Sequence, residues 1–139
     1  MTSSIRDLDI LLSTMQPELR DGVYCFATLT HDRMSQISAA DILASIREDE
    51  GLSVVVHEET ALQYGLPADF RAAWITLTVH SDLAAVGLTA AFATALGQAG
   101  ISCNVVAGNC HDHIFVPHKQ AQQAMTVLRE VQQNAAKAV

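Results

Sequence analysis

Apolar positions recur along the chain at two spacings. Ile5, Leu8, Leu11, Leu12 and Met15 follow a helical period behind Ser4 and Asp7, a capping-box-like start, and predict a helix that Pro17 ends. PELRDG reads as a turn, and VYCFATL, residues 23–29, as a short strand buried on both faces. THDRMSQ is polar and reads as a loop. A second helix is expected from Ser38, with Asp41 as its reciprocal cap partner, turning Ile42, Leu43 and Ile46 inward and stopping at Gly51. The strand LSVVV and a short helix EETALQYG follow.

The second half is more strongly patterned. WITLTVH, residues 74–80, sets Ile75, Leu77 and Val79 against Trp74, Thr76, Thr78 and His80, the period of a half-buried strand. Leu88, Phe92, Ala95, Leu96 and Ala99 form one stripe of a helix expected from about Leu83 to Ala99, closed by Gly100. ISCNVVA reads as a strand with Ile101, Cys103, Val105 and Ala107 on one face, and HIFVP as its hairpin partner. Ala121, Ala124, Met125, Leu128 and Val131 line one face of a last helix whose polar end, QQNAAKAV, is expected to fray.

Two stretches echo each other. EGLSVVV at 50–56 resembles AGISCNVV at 99–106, and VVVHEETA at 54–61 resembles IFVPHKQA at 114–121. This points to two copies of a strand-helix-strand-strand-helix unit, the first lacking one strand, in split β-α-β, ferredoxin-like layers. Whether WITLTVH belongs to one sheet or links both is left open by the pattern.

Charge and length narrow the function classes. A chain of 139 residues, half of them hydrophobic, buries a sizeable core without staples. A net charge of -7 with only eight scattered Lys and Arg argues against nucleic acid and against anionic membrane surfaces. Leu83 to Cys110 carries no Asp, Glu, Lys or Arg, but its Gly, Gln, Ser and Asn residues and its change of period make it a buried helix and strand rather than a membrane span. Three cysteines, an odd number partly set in apolar runs, and an N-terminus without signal-peptide features lead us to expect a cytoplasmic protein.

The densest chemistry lies in GNCHDHIFVPH, residues 108–118, with three of the six histidines and Cys110. Imidazole and thiolate are metal ligands, yet Cys110, His111 and His113 match neither a C-x2-C pair nor a helical H-x3-H pair. The stretch reads as a polar turn, with a metal site as the weaker reading. Cys110 beside His111 is the only adjacent Cys–His pair, and adjacency in sequence says little about reach in space, so no enzyme and no cofactor is expected. Cys25 and Cys103 read as small hydrophobes, and REDE, residues 47–50, as a solvated helix end.

The blocks TVHSDLAAVGLTAA, AGISCNVVAG and HDHIFVP resemble the ACT domain, the small regulatory module of aspartokinases and other amino-acid enzymes. From about Leu11 to Leu128 the chain is similar to short stand-alone bacterial proteins built from paired ACT-like domains. The resemblance implies an α+β, ferredoxin-like βαββαβ fold in tandem, an N-terminal ACT-like half at 1–68 and a C-terminal ACT domain at 69–139. It implies antiparallel sheets backed by helices, side-by-side pairing into a homo-oligomer, and a small amino-acid-like effector at the interface. A separate regulated protein partner would read the effector. Carried onto this sequence, the ligand-contacting positions are Ser81, Asp82, Val86, Gly87, Leu88, Asn104 and Val105.

These residue types suit such a ligand. A helix N-terminus presents unpaired N–H groups to a carboxylate, Asp82 can meet an ammonium, Gly87 permits close backbone approach, and Asn104 both donates and accepts. The same residues have an ordinary reading: Ser81 and Asp82 as helix caps, Gly87 as a packing residue, Asn104 as an amide bonded at a sheet edge or subunit interface. The expectation is therefore a non-enzymatic effector sensor, with a ligand-free structural or interaction module as its rival.

Overall fold

The structure, a computed structural model, describes residues 2–78 and 87–139, with side chains from Asp7 onward. Its contacts divide into two units, residues 21–73 and residues 1–20 with 74–139. The boundary falls inside strand β5 (Arg71–Thr78), between Ala73 and Trp74.

The unit of residues 21–73 holds β2 (Tyr24–Leu29), β3 (Ala44–Glu48), β4 (Gly51–His57), α2 (Glu58–Gln63) and the first residues of β5, in the sheet order β3-β4-β2-β5. β2 is central, with Cys25 opposite Val56 on β4 and opposite Arg71 on β5. Its near-continuous burial follows from that position and from its composition. Cys25, Ala27, Leu29, Val54 and Val56 form the core with Ala61 of α2.

The helix expected from Ser38 to Gly51 does not form. Ser38 does cap a turn, its Oγ accepting from the Ala40 N–H, but this is one 3-10 turn over Ala39–Asp41. The chain then runs as β3, antiparallel to β4 from Ala44 opposite Val55 to Glu48 opposite Gly51. Ile46, expected inward, is 64% exposed. Three apolar residues at helical spacing are too little to outweigh the backbone partners that β4 offers along its open side. The first repeat thus has its full set of strands, and its first helix is what shrinks. REDE accordingly lies at the end of β3 and in the tight turn to β4, not at a helix end.

The other unit holds α1 (Thr2–Thr14), β1 (Gln16–Leu19), the remainder of β5, α3 (Leu88–Gln98), β6 (Asn104–Ala107), β7 (Asp112–Pro117) and α4 (Ala121–Ala138). Its strands lie in the order β1-β5-β7-β6. β1 occupies the stretch expected as a turn, pairing antiparallel with β5 from Gln16 opposite Thr78 to Leu19 opposite Ile75. Pro17 is tolerated because β1 pairs on one side only, where a missing N–H need not break a ladder. α1 starts at Thr2, ahead of the expected Ser4 cap.

β5 begins three residues before WITLTVH and is buried more completely than a half-exposed strand: Ile75, Thr76 and Leu77 are all fully buried. α4 packs against α1, α3, β1 and β7. Phe92, Leu96, Ile114, Val116 and Leu128 are fully buried. The C-terminal turns of α4 remain helical to Ala138, with Ala135 buried and Gln132 Nε2 donating to the Ser13 carbonyl at 3.2 Å. That docking against α1 explains why the polar end does not fray.

Both units are α+β layers with an antiparallel ladder between each described pair of partners. In residues 21–73 the strands follow the order 2-3-1-4 of their own sequence. In the other unit the outer position beside β5 is filled by β1, which precedes β5 by more than fifty residues of sequence.

Candidate functional site

Ser81, Asp82 and Val86, along with the expected helix start at Leu83, lie outside the described residues. Gly87 is the N-cap of α3, with φ 97° and ψ −19°. An L side chain rarely adopts that backbone, and a Cβ added here would stand 3.2 Å from Leu8 Cδ2 of α1. Glycine is favoured there by conformation, and a side chain would also press on Leu8. Having no side chain, Gly87 offers no capping oxygen to the first N–H groups of α3. Leu88 turns its side chain into the core, so only its backbone is at the helix start.

Asn104 opens β6, at the end of its unit's strand order, and its Nδ2 donates to the carbonyl of its register partner Phe115 at 3.4 Å. Val105 beside it is exposed. No hydrogen bond among the described residues joins Gly87 or Leu88 to Asn104 or Val105. The structure therefore places one expected group at a helix start and the other on a sheet edge.

GNCHDHIFVPH is the turn and second strand of the β6–β7 hairpin. Val106 faces His113 and Ala107 faces Asp112, leaving Gly108 to His111 as a four-residue connection closed by the Gly108 N–H donating to the His111 carbonyl at 2.9 Å. Cys110 is exposed in that turn. Among the described residues no group of three or more His, Cys, Asp or Glu is gathered to hold a metal ion.

His113 belongs to a cluster that local sequence patterns do not display. Trp74 Nε1–H donates to His113 Nδ1 at 3.1 Å, and Thr76 Oγ1 lies 3.2 Å from the same nitrogen. Arg20 Nε donates to Thr76 Oγ1 at 3.1 Å, its guanidinium carbon stands 5.1 Å from the Trp74 ring centroid, and it pairs with Glu18 at 3.3 Å. Phe115 stacks on Trp74 with an interplanar angle of 17°. The alternation in WITLT and HIF puts Trp74 with Thr76, and His113 with Phe115, on single faces. Which strands lie side by side is not a local property.

Burial is the main cause that pulls the His113 pKa below its ordinary value, with His111 and Arg20 adding to the shift and Asp112 opposing it. Burial pushes the Cys103 thiol up to about 11 and also raises that of Cys25, where Glu58 adds and Arg71 opposes. Both thiols are protonated at neutral pH and poorly suited to nucleophilic attack. No described helix is long and apolar enough to cross a membrane.

Two family models, each described as an ACT domain, match residues 3–73 and 69–130. A solved Vibrio cholerae structure, described as a protein of unknown function and possible transport protein, is 48% identical, with 93% of this chain and 98% of that one covered and a TM-score of 0.81. An Agrobacterium tumefaciens protein is 20% identical over 85% of this chain and 89% of that one, at a TM-score of 0.65. The ligand-free regulatory subunit of aspartate kinase from Thermus thermophilus is 12% identical over 85% of this chain and 96% of its own, at 0.62. The last two likenesses concern fold alone. No curated protein matches.

Proposed function

The chain belongs to the ACT domain family, and from that premise we propose that it is a non-catalytic regulatory sensor binding a small amino-acid-like effector at an ACT domain interface. The observation that carries the reading is the start of α3, where Gly87 in a left-handed conformation leaves the first backbone N–H groups without a side-chain cap of its own. Such a terminus favours an anion such as the carboxylate of an amino acid. Ser81, Asp82 and Val86 would complete this side, with Asp82 taking the ammonium. Asn104 and Val105, on the edge strand β6, would contribute from a paired domain, and that division accounts for an effector that changes assembly. The likeness to aspartate kinase regulatory subunits supports the class of role.

An effector regulates only if it binds one assembly state better than another. The reading places the protein in the cytoplasm as a homo-oligomer, with a separate protein as the regulated partner. Its three free cysteines suit a reducing compartment.

The test is a thermal-shift screen against the twenty amino acids and their biosynthetic intermediates. A ligand at one hundred times its Kd adds about 2.7 kcal/mol, which for a chain of this size raises Tm by about 8 °C. Asp82→Ala and Asn104→Ala should abolish that shift and leave the oligomer intact. A flat screen at millimolar ligand would end the sensor reading. One observation favours a ligand-free interaction module instead: the outer strands β6 and β3 expose Val105 and Ile46. That reading gains if the screen is flat and edge substitutions such as Ile46→Lys dissociate the oligomer.

A further inference from the structure

The contacts of His113 define its protonation state. An indole N–H only donates, so the His113 Nδ1 that receives it at 3.1 Å must be unprotonated and the ring must carry its hydrogen on Nε2. The second group at this nitrogen is compatible with that tautomer. Thr76 Oγ1 accepts the Arg20 Nε–H, which leaves its own hydroxyl hydrogen to point at Nδ1, 3.2 Å away. Two donors thus converge on one acceptor, and Thr76 is fully buried.

We propose that His113 is a proton-sensitive latch: neutral, it accepts the Trp74 indole and ties a side chain of β7 to one of β5, and protonated, it turns an N–H toward two donors and releases the indole. Thr76 can turn its hydroxyl to accept the new proton, but the Trp74 N–H then keeps no acceptor on this ring. Burial above all, with the balance of the charges around it, makes the neutral form the favoured one. Arg20, just after β1, and His111, at the end of the turn, oppose a cation, and Asp112 on β7 is the carboxylate that favours one. Glu18 on β1 is engaged with Arg20 at 3.3 Å. The ring sits tightly against the turn as well, because a Cβ on Gly108 would stand 3.2 Å from His113 Nε2. Movement of the imidazole is therefore felt in the GNCH connection. The latch requires no effector and stands apart from the sensor reading.

The sign follows from linkage. The folded chain binds its proton at His113 less readily than the unfolded chain does, so this contribution to stability is complete above the unfolded value of about 6.5 and is lost as pH falls through the lower folded value.

Trp74 is the chain's only tryptophan, so its fluorescence reports this cluster alone. The experiment is a titration of the intact protein from pH 8 to pH 4.5, followed by imidazole nitrogen NMR, the indole N–H resonance and tryptophan emission. At the alkaline end His113 should appear as the Nε2–H tautomer. Its midpoint should lie below the ordinary imidazole value, and the indole resonance and emission should change with that same midpoint. His113→Gln, which keeps an acceptor without a titratable proton, should remove the emission step, and His111→Gln should keep the step and move it to higher pH. An Nδ1–H tautomer, a midpoint at or above the ordinary value, or an indole that ignores the titration would overturn the latch, and each can be read on the wild-type protein alone.

Discussion

One substitution made at two glycines should move stability in opposite directions. Gly97 lies within α3, and a Cβ built there meets nothing within 4 Å. Gly108 opens the β6–β7 turn, and a Cβ built there stands 2.8 Å from the His111 carbonyl oxygen and 3.2 Å from His113 Nε2. Carbon and oxygen do not approach so closely, and separating them to ordinary contact needs a shift of about 0.5 Å or more. The obstacle is backbone, and the oxygen in question is the acceptor of the Gly108 N–H. Opening the turn therefore stretches the bond that closes it.

Overpacking of this kind costs about 1–3 kcal/mol, and weakening a hydrogen bond about 0.5–1.5 kcal/mol. Replacing glycine returns about 0.4–1 kcal/mol by restricting the unfolded chain. Gly108→Ala should therefore destabilise by about 2 kcal/mol, whereas Gly97→Ala should stabilise by about 0.5–1 kcal/mol through helix propensity and chain entropy. Urea unfolding followed by circular dichroism, with unchanged m-values, measures both. In a melt the expected shifts are about 6 °C down and about 2 °C up. If Gly108→Ala matched or exceeded wild-type stability while Gly97→Ala behaved as expected, the close approach of the His111 carbonyl to Gly108 would be wrong.

Two further outcomes are expected. Phe92→Ala, which empties a fully buried position on α3, should cost about 3–5 kcal/mol, and a loss under about 1 kcal/mol would mean that this stripe is not core. In alkylation with iodoacetamide at pH 8, peptide mass mapping should find Cys110 modified well before Cys103, whose thiol is pushed up to about 11, and before buried Cys25; comparable rates at all three would contradict the assigned burial.

The sequence disclosed the family and fold class because both rest on local signals. Alternation in WITLT, the stripe Leu88–Phe92–Leu96 and the hairpin pattern of ISCNVVA with HIFVP were legible from spacing and appear as β5, α3 and the β6–β7 ladder, β6 beginning only at Asn104. The turn reading of GNCH also follows from its place between two strands. Of the candidate site, Gly87 was singled out in the sequence for close backbone approach, whereas its place as the left-handed N-cap of α3 came only with the structure.

What remained hidden depended on partners remote in sequence. β3 resembles a helix until β4 pairs with its backbone, and PELRDG resembles a turn until Gln16 to Leu19 meet Thr78 to Ile75. The union of Arg20, Trp74, Thr76 and His113 spans more than ninety positions and arises only when β1 and β7 flank β5. Hydrophobic spacing is a property of a few neighbouring residues and so determines the elements whose own pattern is long and regular, such as α3 and β5. The choice of which strand covers which edge is made by backbone groups that must be paired once buried, and only the folded chain decides it.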